Sequence, residues 1–340
     1  MSAHKDIFKI FAQGERPSAQ TLDAAMEFIL SGEAKTPYIA ALLMAYEILG
    51  ITSREISAAG AVMQRHMIPV EIEGDVIDIV GTGGTGLHCL SISTASAIVA
   101  ASAGARVAKH GNRAASSKAG TADTLSELGV NLSLSPEHAK HLIERHGIGF
   151  LFAPNHHPAM AHVGPARKAL AIRTLFNLLG PISNPARAKY YLLGVSDDRF
   201  RRPIAEALLA LGVKRASVVH GEDGLDEITT TGTTFITEIK DGKLSDLVIK
   251  PEDFGIKRVD ISALRGGEPK VNADALRALL DGQAGPYADI VALNAGAALC
   301  IFGQATDIAQ GIDLARESLS GGAAKATLQT LIRASHNSAV

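Results

Sequence analysis

A short β-branched segment runs directly into a cluster of glycines near residue 80. Residues 76–80 read Val-Ile-Asp-Ile-Val, and residues 81–86 read Gly-Thr-Gly-Gly-Thr-Gly. The first run is typical of a buried strand, and the second predicts a tight turn whose backbone a ligand can approach closely. Small residues from 95 to 103 predict a helix after it. This strand, glycine loop and helix favour an α/β fold from here onward.

The chain before Pro69 has a different pattern of apolar residues. Apolar residues such as Ile7 and Phe11 recur at helical spacing, and Thr52 followed by Glu55 has the spacing of a capping box. We therefore predict a small all-helical domain over residues 1–70.

Strand and helix patterns alternate after residue 71. We predict strands at 76–80, 105–108, 190–195, 216–220 and 234–239, and helices near 136–146, 200–211, 273–280, 286–302 and 323–335. The segment at about 158–185 is helical and rich in proline, and we expect it to pack on the helical domain. The predicted architecture is a small all-helical domain hinged to a larger α/β domain, residues 71–340, with a central, mostly parallel sheet and surrounding helices. The cleft between the two is the expected site.

Composition excludes several classes of function. Lys plus Arg (33) nearly balances Asp plus Glu (35), which gives no field for gathering nucleic acid or an anionic membrane. Two cysteines are too few for a disulfide framework or a four-ligand zinc site. We find no apolar run of signal-peptide or membrane-spanning length, so we expect a cytoplasmic protein.

The glycine loop and the hydroxyl residues after it are suited to phosphate. Loop amides and a helix amino terminus would converge on one point, and the hydroxyls of Ser93 and Thr94 could contact phosphate or magnesium. A tight structural turn followed by ordinary N-cap residues is an equally probable reading of these residues alone.

Residues 109–113 read Lys-His-Gly-Asn-Arg and follow the next predicted strand. Because ligands in open α/β sheets lie at the carboxyl ends of strands, this run and the serines and glycines up to Gly120 could surround a second phosphate. The alternative is a solvated basic loop.

Two further groups are candidates for ligand contacts. Residues 222–227 contain four carboxylates, which could hold a hard cation, although acidic turns are often merely solvated. Arg167 and Arg173 could each grip a carboxylate bidentately or form a structural ion pair.

Taken together, six ordered blocks closely resemble the anthranilate phosphoribosyltransferase family. They are residues 81–84, 93–94, 109–113, 152–160, 173–181 and 219–227. The resemblance implies a homodimer with the fold of class II nucleoside phosphorylases, with magnesium and phosphoribosyl pyrophosphate in the cleft and anthranilate as acceptor.

The resemblance also implies roles for individual residues. Those expected to contact phosphoribosyl pyrophosphate are Gly81, Gly83, Gly84, Thr85, Ser91, Ser93, Thr94, Lys109, Asn112, Ser117 and Gly120. Those expected to contact anthranilate are Gly81, His110, Asn112, Pro154, His157, Met160 and Arg167, with Arg167 meeting the carboxylate. Magnesium would be held by Ser93, Asp226 and Glu227. No general base is nominated, because an arylamine is already unprotonated near neutral pH.

Two residues depart from the family's pattern: Thr85 stands where Asp is usual, and Ser91 where Asn is usual. Two other functions stay open at this point. A nucleoside phosphorylase would share the fold, and some relatives bind nucleic acid without catalysis.

Overall fold

The computed structural model describes residues 3–114 and 118–337. Its elements before the first strand are α1 (Ala3–Ala12), α2 (Ala19–Leu30), α3 (Thr36–Leu49) and α4 (Ser53–His66). The middle of the chain forms β1 (Ile77–Gly81), α5 (Ile92–Ser102), β2 (Val107–Gly111), α6 (Thr121–Leu128), α7 (Pro136–His146), β3 (Ile148–Phe152), α8 (Ala153–His156), α9 (Met160–Leu170) and α10 (Leu175–Ile182). The remainder forms β4 (Tyr190–Gly194), α11 (Arg201–Ala210), β5 (Arg215–Gly221), β6 (Thr234–Lys240), β7 (Lys243–Ile249), α12 (Pro269–Leu280), α13 (Pro286–Phe302), α14 (Ile308–Ser320) and α15 (Ala323–His336).

The seven strands form one sheet in the order β3-β2-β1-β4-β5-β6-β7. Strands β1 to β5 are parallel to one another, and β6 and β7 extend the sheet as an antiparallel edge. Gly81 at the end of β1 is paired in register with Gly194 at the end of β4. The predicted small helical domain and larger α/β domain with a mostly parallel sheet are confirmed.

Helices cover both faces of the sheet. One apolar core lies between one face and α5 with α12 to α15, and α13 is buried along most of its length. The other lies between the opposite face and α1 to α4, α9, α10 and α11. Helices α9 and α10 pack against α2, α3 and α4. None of the described helices is both long and apolar enough to cross a bilayer.

Local chemistry explains where the predicted helices begin and end. The capping box of Thr52 and Glu55 opens α4, and Ser135 caps α7, which ends where Gly147 adopts a left-handed conformation with φ 75°. Strands β3 and β7 and helices α6 and α14 were not predicted.

The chain passes between the helical part and the sheet at three places, and backbone hydrogen bonds join them. The amide of Ile68 donates to the carbonyl of His156 at 2.8 Å, and the amide of Val70 donates to that of Pro185 at 3.0 Å. These bonds hold the connection after α4 against α8 and against the connection after α10.

Candidate functional site

The site lies where the parallel strands end, at the carboxyl edge of the sheet. There, the side chain of Asp226 lies over Gly81 and Gly194. A Cβ atom on Gly81 would lie 2.2 Å from Asp226 Oδ2, and one on Gly194 would lie 1.6 Å from the Asp226 carbonyl oxygen. Both strand ends must therefore be glycine for the acidic segment to reach the glycine loop. Asp226 Oδ2 accepts the amide of Gly83 at 2.7 Å.

The glycine loop turns through left-handed conformations at Gly83, Gly84 and Gly86, with φ of 64°, 73° and 73°. Arg173 holds it from the α9–α10 connection: Nη1 donates to the Gly83 carbonyl at 2.7 Å, and Nη2 lies 3.5 Å from the Thr82 carbonyl. The sequence offered Arg173 as a grip for a ligand carboxylate, but its guanidinium contacts this loop.

Lys109 is buried under the loop at the end of β2. Its Nζ donates to the Ile79 carbonyl at 2.5 Å and lies 3.4 Å from Ser93 Oγ. Burial lowers the pKa of Lys109 to about 8, although the carboxylates of Asp78, Glu227 and Asp226 act in the opposite direction. An anion entering here would restore the charged form.

The hydroxyls around the start of α5 make contacts within the protein. Ser91 Oγ lies 2.9 Å from Thr124 Oγ1, and Thr94 Oγ1 donates to Thr121 Oγ1 at 3.4 Å. Thr85 Oγ1 accepts the Leu87 amide at 3.3 Å.

The loop after β2 is organised by Asp123 at the start of α6. Its carboxylate accepts the amides of Ala114 and Gly120 and pairs with Arg113 at 2.8 Å. A Cβ on Gly120 would lie 2.5 Å from the Ala114 amide nitrogen, so glycine is required. Asn112 is exposed, and its Oδ1 accepts the Arg113 amide at 2.7 Å. The predicted contact of Ser117 lies outside the described residues.

Two buried histidines face each other across the base of the cleft. The ring centroids of His110 and His157 lie 5.1 Å apart, and His110 Nδ1 lies 3.1 Å from the Gly180 carbonyl oxygen. Burial lowers the pKa of His157 to about 4 and that of His110 well below its usual range. Both rings are therefore neutral at physiological pH.

Helix α9 leads away from this pair and carries Arg167. That side chain is partly buried, and burial lowers its pKa. Burial is the only influence on that pKa, and the guanidinium makes no hydrogen bond or ion pair with any described residue. A partly desolvated guanidinium without a partner is suited to a ligand carboxylate. Met160, at the start of α9, is partly buried, and Pro154 on α8 is exposed.

The acidic residues that follow β5 have two different roles. Asp223 Oδ2 accepts the hydroxyl of Thr229 at 2.7 Å and also that of Thr231, which folds the turn. Asp226 and Glu227 lie together near the glycine loop, where burial and the Asp226 carboxylate raise the pKa of Glu227 well above its usual range. Within residues 3–114 and 118–337, no three His, Cys, Asp or Glu side chains form a complete metal site.

The sequence analysis missed two buried residues beneath the site, Asp78 and Asn184. Asn184 Nδ2 donates to Asp78 Oδ2 at 2.7 Å and to the Ala108 carbonyl at 2.8 Å. An aspartate inside a predicted buried strand was the available signal, because an ionisable side chain is rarely buried without a partner.

Comparisons with known proteins agree over the whole chain. The model of the glycosyl transferase family helical bundle domain matches residues 5–67, and that of the family's a/b domain matches residues 73–325. Anthranilate phosphoribosyltransferases of Parvibaculum lavamentivorans and Rhizobium meliloti are 48% and 49% identical over 336 residues, 99% of this chain and 98% and 99% of theirs.

Two solved structures also match nearly the whole length of the chain. The anthranilate phosphoribosyltransferase of Thermus thermophilus superposes with a TM-score of 0.93 at 42% identity, covering 99% of this chain and 100% of that one. The Saccharomyces cerevisiae enzyme in complex with phosphoribosyl pyrophosphate and magnesium gives a TM-score of 0.90 at 28% identity, covering 98% of this chain and 97% of that one.

Proposed function

The chain belongs to the anthranilate phosphoribosyltransferase family and transfers the phosphoribosyl group from phosphoribosyl pyrophosphate to anthranilate in tryptophan biosynthesis; from that premise we propose how its residues divide the work. The observation that carries the division is that two chemically different groups lie on different parts of the fold. The glycine loop and Lys109 lie at the carboxyl edge of the sheet, and Arg167, partly buried and without a side-chain partner among the described residues, lies on α9.

The sheet side binds phosphoribosyl pyrophosphate in this proposal. Lys109, under the glycine loop, meets the pyrophosphate charge, and Ser93, 3.4 Å from Lys109 Nζ, lies on the same side. Gly83 has open space where a Cβ atom would lie, so its backbone can come close to a ligand, whereas Gly120 must be glycine because the backbone of Arg113 and Ala114 crowds it. We assign Asn112 to this side as well, and the contact expected of Ser117, outside the described residues, stays a prediction.

Magnesium fits between this side and the acidic segment. Burial, the largest cause, and the neighbouring Asp226 carboxylate raise the pKa of Glu227, and a divalent cation at this place would offset the repulsion between the two carboxylates. Asp226, Glu227 and the Ser93 hydroxyl would hold it, with water and pyrophosphate oxygens as the remaining ligands. Magnesium held by these residues would supply positive charge to the leaving pyrophosphate.

The helical side binds anthranilate in this proposal. Arg167 grips the carboxylate, while His110, His157 and Met160 surround the ring. We assign Pro154, which is exposed, together with Gly81 and Asn112 to the same ligand.

Catalysis by this arrangement is positioning and charge stabilisation. The anthranilate nitrogen forms a bond to the anomeric carbon as the bond to pyrophosphate breaks, and the nitrogen then loses one proton. Lys109 stabilises the negative charge on the leaving group, while the two sides align the reacting atoms and exclude water that would hydrolyse the sugar. No side chain is assigned as general base.

The proposal extends to assembly, location and domain division. Helix α3 exposes Ile48 at 79%, and its outward face also carries the small apolar residues Ala41 and Ala45. We assign this face to a second copy of the chain in a cytoplasmic homodimer. The domains divide near residue 70, between the two matched family regions.

The direct test is the loss of anthranilate fluorescence when the protein is mixed with anthranilate, phosphoribosyl pyrophosphate and magnesium. We expect consumption that requires all three and releases one pyrophosphate per anthranilate. Release of free base from thymidine or uridine with phosphate, without anthranilate consumption, would replace this function with nucleoside phosphorolysis. Light scattering of the purified protein tests the dimer.

A further inference from the structure

Three hydrogen bonds and the stretch of chain from Gly180 to Asn184 form a closed ring that holds His110, on the proposed anthranilate side. The carboxylate of Asp78, with no exposed surface, accepts the His110 amide at Oδ1 (3.2 Å) and Asn184 Nδ2 at Oδ2 (2.7 Å). The ring of His110 reaches the Gly180 carbonyl at 3.1 Å, and Gly180 precedes Asn184 by one short segment of chain. His110 is thus held from its backbone and from its side chain by one ring.

The ring fixes the tautomer of His110. A carbonyl oxygen only accepts, so Nδ1 carries the hydrogen and donates it to Gly180. Burial, the largest cause, and the neighbouring His157 keep the pKa of His110 well below its usual range, so the imidazole is neutral. A neutral imidazole with a hydrogen on Nδ1 has a bare lone pair on Nε2.

Nε2 of His110 is buried and has no hydrogen-bond partner among the described residues. A buried acceptor left unpaired destabilises the empty site, and a ligand that brings an N–H or O–H group to it recovers that free energy. The nearby ring of His157, whose centroid is 5.1 Å from that of His110, does not satisfy Nε2, because neither of its nitrogens makes a hydrogen bond of normal geometry to a described residue.

We propose that Asp78 and Asn184 are positioning residues that present the bare Nε2 of His110 to the amine of anthranilate. The amine donates one N–H to Nε2, and this contact directs its lone pair toward the anomeric carbon. The inference rests on the proposed placement of anthranilate beside His110 and Arg167, and it adds the residues that determine recognition of the amine.

The chemistry of the ring explains why residue 78 is a carboxylate. Asp78 receives donors at both oxygens, from the His110 backbone and the Asn184 amide. Asparagine would place an NH2 group against one of those donors, and leucine would leave both unpaired. A buried carboxylate is expensive, and the two donors together with the nearby Lys109 ammonium offset that cost.

The test compares anthranilate with benzoate, which keeps the carboxylate but lacks the amine. Calorimetry in the presence of magnesium pyrophosphate gives both dissociation constants without turnover. Wild type should prefer anthranilate, and Asp78→Asn should reduce that preference about tenfold, the usual effect of losing one buried hydrogen bond. Asn184→Ala removes the hydrogen bond to Asp78 Oδ2 and should reduce the preference for anthranilate similarly. This second variant provides the test if Asp78→Asn does not fold.

Two control variants separate this inference from the placement on which it rests. Arg167→Ala should weaken both ligands and leave their ratio unchanged. Ser335→Ala removes a buried hydrogen bond to Asn131, far along the chain from the ring, and should leave the ratio at the wild-type value. If the ring variants weaken both ligands equally, the positioning role is overturned. If Arg167→Ala weakens neither ligand, the placement of anthranilate is wrong instead.

Discussion

Arg173 reaches from the α9–α10 connection to the glycine loop, where its guanidinium donates to the Gly83 carbonyl at 2.7 Å. The amide of Gly83 donates to Asp226 Oδ2 at 2.7 Å, so this glycine is held on both of its polar groups. One residue of the loop therefore joins the helical side of the cleft to the proposed metal side.

Loss of this contact should affect phosphoribosyl pyrophosphate more than anthranilate. Arg173→Ala frees the loop carbonyls, and the loop must then be ordered by the substrate itself. We expect the KM for phosphoribosyl pyrophosphate to rise about tenfold, as for the loss of one charge-assisted hydrogen bond. Steady-state kinetics with each substrate varied in turn measures this. The exposed Arg187, whose nearest carboxylate is 3.9 Å away, provides the control variant Arg187→Ala.

Arg167→Ala should give the opposite pattern. Its guanidinium has no hydrogen-bond or ion-pair partner among the described residues, so its removal breaks no polar contact within the protein and the effect should fall on the ligand carboxylate. The KM for anthranilate should rise roughly tenfold to a hundredfold, with a much smaller change for phosphoribosyl pyrophosphate. Equal changes in both constants would argue against the carboxylate contact.

The two departures from the family pattern should weaken phosphoribosyl pyrophosphate binding. The hydroxyl of Ser91 is engaged with Thr124, and that of Thr85 accepts the Leu87 amide. Thr85→Asp with Ser91→Asn restores the longer polar side chains and should lower the KM for phosphoribosyl pyrophosphate by about tenfold. Identical kinetics in wild type and double variant would contradict this.

Acid should destabilise the fold through the buried histidines. The pKa of His157 is about 4 in the folded chain against an ordinary 6.5, so the unfolded chain takes up the proton first as the pH falls. Stability is complete above pH 6.5 and falls from there to about pH 4, by about 2 kcal/mol between pH 7 and pH 5 from this residue. Urea unfolding at both pH values measures the change.

His157→Asn should flatten that pH dependence, because asparagine does not titrate. His141→Asn changes an exposed histidine and serves as the control. A wild-type slope retained in His157→Asn would show that the acid sensitivity arises elsewhere, for example at His110 or His156, whose pKa values are also lowered by burial.

Sequence patterns predicted the elements whose chemistry is local. The capping box at Thr52 and the Ser135 and Gly147 signals fixed helix ends, and the run at residues 76–80 identified β1. Strand β3 was missed because it begins immediately after Gly147, with no loop to separate it from α7. Strand β7 was missed because it is an edge strand of mixed polarity, whose pairing with β6 is a tertiary property.

The sequence predicts those parts of the candidate site whose role follows from the type of residue. It does not predict contacts between side chains that are far apart in the chain. Lys109 and the glycine loop could be identified from their own chemistry. The contact of Arg173 with loop carbonyls could not, because the two segments are 90 positions apart and meet only through the fold. Asp78 and Asn184 likewise meet across 106 positions.

The absence of side chains at Gly81 and Gly194 ties the acid at residue 226 to the alignment of two strands. If β1 shifted by one residue against β4, Val80 or Val195 would lie at this edge of the sheet. Its branched side chain would then displace the Asp226 carboxylate. The position of the Asp226 carboxylate therefore depends on the alignment of these two strands as well as on the acidic residue itself. A carboxylate can take this position only if the last residue of β1 and the last residue of β4 both have no side chain.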